Sequence, residues 1–82
     1  MIDLESVEQN EIERINYLHG KRAPKLIQHA KNKFTAYRMR HDENMTFKEI
    51  GDYFNISAEP ARQYVLYVER LIKSYQNIQR YS

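Results

Sequence analysis

Apolar residues recur along this chain at helical spacing. Leu26, Ile27, Ala30, Phe34, Tyr37 and His41 fall three, four and seven apart, the stripe of one amphipathic helix, and Lys31, Lys33, Arg38 and Arg40 lie opposite it. Pro24 suits a first helical position, where its missing N–H costs no hydrogen bond, so this helix is predicted over residues 24–41. Ahead of it, Val7, Ile12, Ile15 and Leu18 mark a sparser helix over 7–19, opened by a capping box from Ser6 to Gln9 and stopped by Gly20. The period is lost from His41 to Met45, which reads as a loop.

Thr46-Phe47-Lys48-Glu49 forms a second capping box, and Phe47, Ile50, Gly51 and Phe54 supply the inward face of a short helix. Asn55-Ile56-Ser57 follows as a tight turn, with Asn55 tolerant of a left-handed backbone. Helical patterning then runs from Ala58 to about Gln79, with Pro60 early enough to be tolerated. The prediction is an all-α, four-helix fold forming a single domain over residues 1–82, its last helix the longest.

Composition agrees and closes several doors. Two Gly and two Pro in 82 residues leave little turn material, which favours long helices over many short strands. With no Cys there is neither a disulfide framework nor a thiolate zinc site, which fits a reducing compartment. No apolar run approaches the roughly 18 residues of a membrane helix, and the acidic start Met1-Ile2-Asp3-Leu4-Glu5 is unlike a signal peptide. A cytoplasmic protein without a membrane partner is expected.

Charge is more informative when divided along the chain. The net +2 is a cancellation of −4 over residues 1–18, +7 over residues 19–41 and −1 over residues 42–82. A basic block free of acids attracts a polyanion, or pairs with the acidic first helix.

Two helices of unequal length joined by a three-residue turn, with a glycine inside the first, fit a helix-turn-helix arrangement, and on spacing alone an ordinary helical hairpin as well. At Gly51 the second helix is expected to cross closely, leaving room for nothing larger than Gly or Ala, while Ile56 plugs the corner. The run Thr46-Phe47-Lys48-Glu49-Ile50-Gly51-Asp52-Tyr53-Phe54-Asn55-Ile56-Ser57-Ala58-Glu59-Pro60-Ala61-Arg62-Gln63 resembles, without a gap, region 4 of bacterial sigma factors, the module that reads the −35 promoter element. Other transcription regulators share this module, including phage late-gene activators and response-regulator output domains.

The resemblance implies a helix-turn-helix over 46–74 whose second helix enters the major groove of double-stranded DNA, in a bacterial cell or a phage-infected host. It implies that Ser57 meets a backbone phosphate, that Glu59 accepts from a cytosine amino group, that Arg62 forks onto a guanine, and that Gln63 pairs with an adenine edge or a phosphate. Lys48, Arg70 and Lys73 remain for phosphates, and Lys31, Lys33, Arg38 and Arg40 of the basic helix could join them if that helix lies along the flanking backbone. The chain departs from the family where it has Ala58 and Pro60 in place of long polar residues, and Tyr67 and Leu71 in place of basic ones. Those changes remove phosphate contacts.

The last helix also carries more apolar surface than one seam needs. Ala61, Tyr64, Val68, Ile72 and Tyr75 suffice to seat it, leaving Val65, Leu66, Tyr67 and Leu71 either to be covered by the N-terminal helix or to face a partner. A second copy of this chain, RNA polymerase or a sigma factor would fit such a face. Transcription regulation through DNA is therefore the first expectation, and a small anti-sigma or polymerase-binding factor that reads DNA weakly is the alternative. His19, His29 and His41 lack the clustering of a metal site and suit surface or phosphate-facing positions. No nucleophile, phosphate loop or carboxylate pair points to catalysis, and neither metal nor cofactor is expected.

Overall fold

The computed structural model describes the backbone of residues 3–81 and the side chains of residues 3–76. Four α-helices follow one another: α1 (Leu4–His19), α2 (Ala23–Asp42), α3 (Phe47–Phe54) and α4 (Ala58–Tyr81), with a single 3-10 turn, Gly20–Arg22, between the first two. The described residues contain no strand.

Local chemistry sets most of the boundaries. Asp3 caps α1, its carboxylate accepting from the N–H of Glu5, so the helix begins about a turn ahead of the predicted box at Ser6. The earlier start brings Leu4 onto the apolar cluster of Val7, Phe34 and Val68. Gly20 ends α1 at φ 53°, a conformation that costs a residue without Cβ nothing. Pro24 lies in the first turn of α2, as its missing N–H requires.

The second capping box is complete. Thr46 Oγ1 accepts from the Glu49 N–H at 3.1 Å, and Glu49 Oε1 accepts from the Thr46 N–H at 2.9 Å. Those bonds from Thr46 hold the Glu49 carboxyl below its ordinary pKa. At the other end of α3, Asn55 is left-handed at φ 58°. The Ile56 N–H donates back to the Gly51 carbonyl at 2.8 Å and the Asn55 N–H to that of Asp52 at 3.3 Å, the paired bonds of a Schellman stop.

This turn brings the start of α4 hard against Gly51. A Cβ at Gly51 would lie 2.6 Å from the Ile56 carbonyl oxygen and 3.0 Å from that of Ser57, so even Ala does not fit, contrary to the sequence expectation. The neighbours are backbone atoms and have no rotamer into which to retreat.

Packing centres on α2, which touches α1, α3 and α4. Ala36 and Met39 of α2 meet Ile50 of α3 and Ala61 and Val65 of α4. Phe34 is fully buried between Val7 of α1 and Val68 of α4. Ile15, Ala23 and Ala30 close the α1–α2 corner. The molecule measures 38 × 33 × 17 Å, room for barely two layers of helix, so each helix keeps a solvent face.

Two predicted stripes are displaced. On α2 the buried set is Ala23, Ala30, Phe34, Ala36 and Met39, while Leu26 and His41 are exposed; three neighbours demand a wider and rotated face. On α1 the buried set is Val7, Glu11 and Ile15, Ile12 is half-buried, and Leu18 faces solvent.

Candidate nucleic-acid interface

Helical periodicity divides α4 into two faces. Ala61, Val65 and Val68 point inward, which forces Glu59, Arg62, Gln63, Arg70 and Lys73 outward, and all five are exposed. Glu59, Arg62 and Gln63 are not independent. Glu59 Oε1 accepts from Arg62 Nη1 at 3.0 Å and from Gln63 Nε2 at 3.0 Å. One carboxylate therefore gathers a guanidinium and an amide into a single patch on the first turns of the helix, directly after the Gly51 crossing.

This patch can exchange its internal bonds for external ones. The Glu59–Arg62 pair is exposed on both sides, and such a pair contributes little to stability in water. Breaking it costs correspondingly little. Arg62 then offers a planar two-pronged donor, Gln63 a donor and an acceptor, and Glu59 an acceptor alone.

The basic residues of α2 divide. Arg38 Nη2 donates to Glu8 Oε1 of α1 at 2.8 Å, and Arg40 donates to the Met45 carbonyl at 3.0 Å while lying 4.8 Å from the Phe47 ring centroid. Both hold helices or loops in place, so the expectation that they serve phosphates is not needed to explain them. Lys31 is exposed. Lys33 is half-buried, its Nζ 3.9 Å above the Tyr67 ring. Ser57 at the start of α4 and Lys48 on α3 are exposed.

The surplus apolar face of α4 is largely consumed within the fold. Val65 is 2% exposed and belongs to the core, which removes it as an interface candidate. Tyr67 and Leu71 pack against the cluster of Val7, Phe34 and Val68, so α1 and α2 cover them. Only Leu66 of the four remains, half-buried and outside the apolar clusters described here. The sequence could not choose between cover and partner, because the choice depends on where α1 lies.

Beneath Tyr67 is a polar group that sequence reasoning missed. Glu11 is 1% exposed and accepts from Arg14 Nε at 2.6 Å, from Arg14 Nη2 at 3.2 Å and from the Tyr67 hydroxyl. Burial alone would raise its pKa, but the bonds from Arg14 and Tyr67 and the nearby Lys33 charge outweigh it and hold the carboxyl below its ordinary value. Burial, together with the Glu11 charge, pushes the Tyr67 phenol up to about 12.

Between α2 and α4, alongside the Glu59 patch, lies an open hollow of about 530 Å³. His29, Lys33, Tyr64, Tyr67 and Arg70 line it together with Glu59, Pro60 and Gln63, so it shares Glu59 and Gln63 with the patch. Its walls are ordered by aromatic contacts: His29 meets Tyr64 edge-on at 5.4 Å, and Tyr64 meets Phe54 at 5.8 Å. Burial, then the Lys33 charge, lowers the His29 pKa; burial likewise lowers that of Lys33, with Glu11 opposing. His29 could have been sought from its place four residues before Lys33 on one helix face.

Comparison with family models, with curated proteins and with solved structures returned no match. Among the described residues, no helix is long and apolar enough to cross a membrane.

Proposed function

We propose that this chain is a double-stranded DNA-binding transcription regulator that reads the major groove with the first turns of α4. The observation that carries the reading is the exposed Glu59–Arg62–Gln63 patch, set immediately after a turn so tight that Gly51 admits no side chain. α3 and α4 then act as a helix-turn-helix, α3 resting on the backbone through Lys48 and α4 offering its outer face to base edges. Ser57, Lys31, Arg70 and Lys73 supply exposed phosphate contacts around that face. The rival reading, a protein-binding regulator, is supported less, since Val65, Tyr67 and Leu71 have partners within the fold.

A salt titration against random and selected duplexes tests the proposal. Log affinity should fall linearly with log salt, by about 0.9 per neutralised phosphate. Arg62→Ala should weaken binding and relax preference at one position, by roughly 1–3 kcal/mol. Failure of any duplex to bind at low salt would overturn the reading.

A further inference from the structure

The hollow between α2 and α4 has a chemistry of its own. Three basic side chains from two helices line it: His29 and Lys33, one turn apart on α2, and Arg70 on α4. Lys33 makes none of the salt bridges among the described residues. The nearest buried carboxylate, Glu11, already has its two oxygens engaged by Arg14 and Tyr67. Lys33 is thus a half-buried cation seated on an aromatic ring, within the field of Glu11 but without a salt bridge. Glu59 is the one acid in the lining, and its Oε1 accepts from both Arg62 and Gln63.

Such a cation gains more from an anion than a fully hydrated one does. Arg70 adds a planar donor suited to tetrahedral oxyanions, and His29 adds a ring donor. Tyr67 is fixed from beneath by its bond to Glu11, so the floor of the hollow is ordered before any ligand arrives.

We propose that this hollow is a phosphate site, in which Lys33, Arg70 and His29 hold one phosphate group, either of a nucleic-acid backbone or of a free nucleotide. In the first form it rests on the DNA reading above and seats the phosphate flanking the bases met by Gln63. In the second form it stands without that reading.

The experiment titrates the isotope-labelled full chain separately with inorganic phosphate, adenosine monophosphate and a random-sequence duplex. It follows the His29 ring, Lys33 ε and Arg70 guanidinium signals by NMR. Inorganic phosphate should move these three saturably and together, ahead of the Lys21 and Lys25 signals. Arg70→Gln, at an exposed position that the fold does not use, should weaken phosphate binding about tenfold, the loss of one charge-assisted hydrogen bond. Lys33→Gln should do the same, and Lys25→Gln should change nothing.

If the duplex moves the same signals and Arg70→Gln weakens all duplexes alike, the backbone is the source of the phosphate. If inorganic phosphate and the mononucleotide saturate the hollow while no duplex binds, the hollow stands in its free-nucleotide form and the DNA reading falls. If a duplex binds while His29 stays still and Arg70→Gln has no effect, and neither inorganic phosphate nor the mononucleotide moves the three signals, the DNA reading stands and this proposal is overturned. Equal shifts at every lysine would overturn it as well.

Discussion

The hydroxyl of Tyr67 on α4 donates to the buried carboxylate of Glu11 on α1, across 56 residues of sequence. This bond joins the helix that carries the Glu59–Arg62–Gln63 patch to the acidic first helix, and it explains why Glu11 can be 1% exposed. Arg14 also donates to both Glu11 oxygens, so the Tyr67 bond is one charge-assisted hydrogen bond, worth about 1.5–3 kcal/mol. Tyr67→Phe keeps the ring under Lys33 and removes only the hydroxyl, so it should lower the unfolding free energy by about that amount in urea denaturation. An unchanged midpoint would mean that Arg14 alone satisfies Glu11.

Stability should also depend on pH through this pair. The folded pKa of Glu11 lies below its ordinary 4.5, so its contribution is present above that value and is lost as pH falls through the folded pKa. The phenol of Tyr67 moves the other way, from 10.0 to about 12, so its contribution is complete below pH 10 and is lost as pH rises towards 12. Thermal unfolding followed across pH should show both limbs. Glu11→Gln should flatten the acid limb, and Tyr67→Phe the alkaline one.

Gly51→Ala should destabilise the protein although Ala is the better helix former. The propensity gain is about 1 kcal/mol. Against it stands a Cβ placed 2.6 Å from a backbone oxygen, an overpacking that costs typically 1–3 kcal/mol. Urea unfolding measures the net loss, and duplex affinity should fall with it, because α4 can accommodate the methyl group only by moving away from α3.

Glu8 and Arg38 test whether the acidic helix braces the fold or shields a DNA-binding face. Their bond at 2.8 Å joins α1 to α2 and is partly shielded from solvent. A brace predicts that Glu8→Gln costs up to about 1 kcal/mol of stability and leaves duplex affinity unchanged. A shield predicts tighter binding of every duplex. The described geometry favours the brace.

Glu59→Gln should separate affinity from specificity. The carboxylate that gathers Arg62 and Gln63 would also repel phosphates, so on the proposed DNA reading its neutralisation should tighten binding to all duplexes and flatten preference at the position assigned to Glu59. Competition between selected and random duplexes measures both. Weaker binding of every duplex alike would show that Glu59 instead positions Arg62.

Local structure in this chain was legible because short-range chemistry settles it. Thr46 and Glu49 form the predicted capping box, Asn55 takes the left-handed turn, Gly20 stops α1, and Pro24 lies in the first turn of α2. Each depends on residues within about one turn. The all-helical class follows from the same signals.

Tertiary packing decided the rest. Glu11 reads as a surface acid until Tyr67 arrives from α4 to bond it. Ala36 and Met39 look peripheral to the α2 stripe until α3 and α4 both press on that helix. Val65, Tyr67 and Leu71 look like a free apolar face until α1 and α2 cover them. Of the basic block, sequence alone supplied the charge, and three-dimensional placement spent Arg38 on Glu8 and Arg40 on Met45 while leaving Lys33 in a hollow without a salt bridge. The physical reason is range: caps and turns are bonds between near neighbours, whereas burial and charge pairing are set by helices brought together from distant parts of the chain.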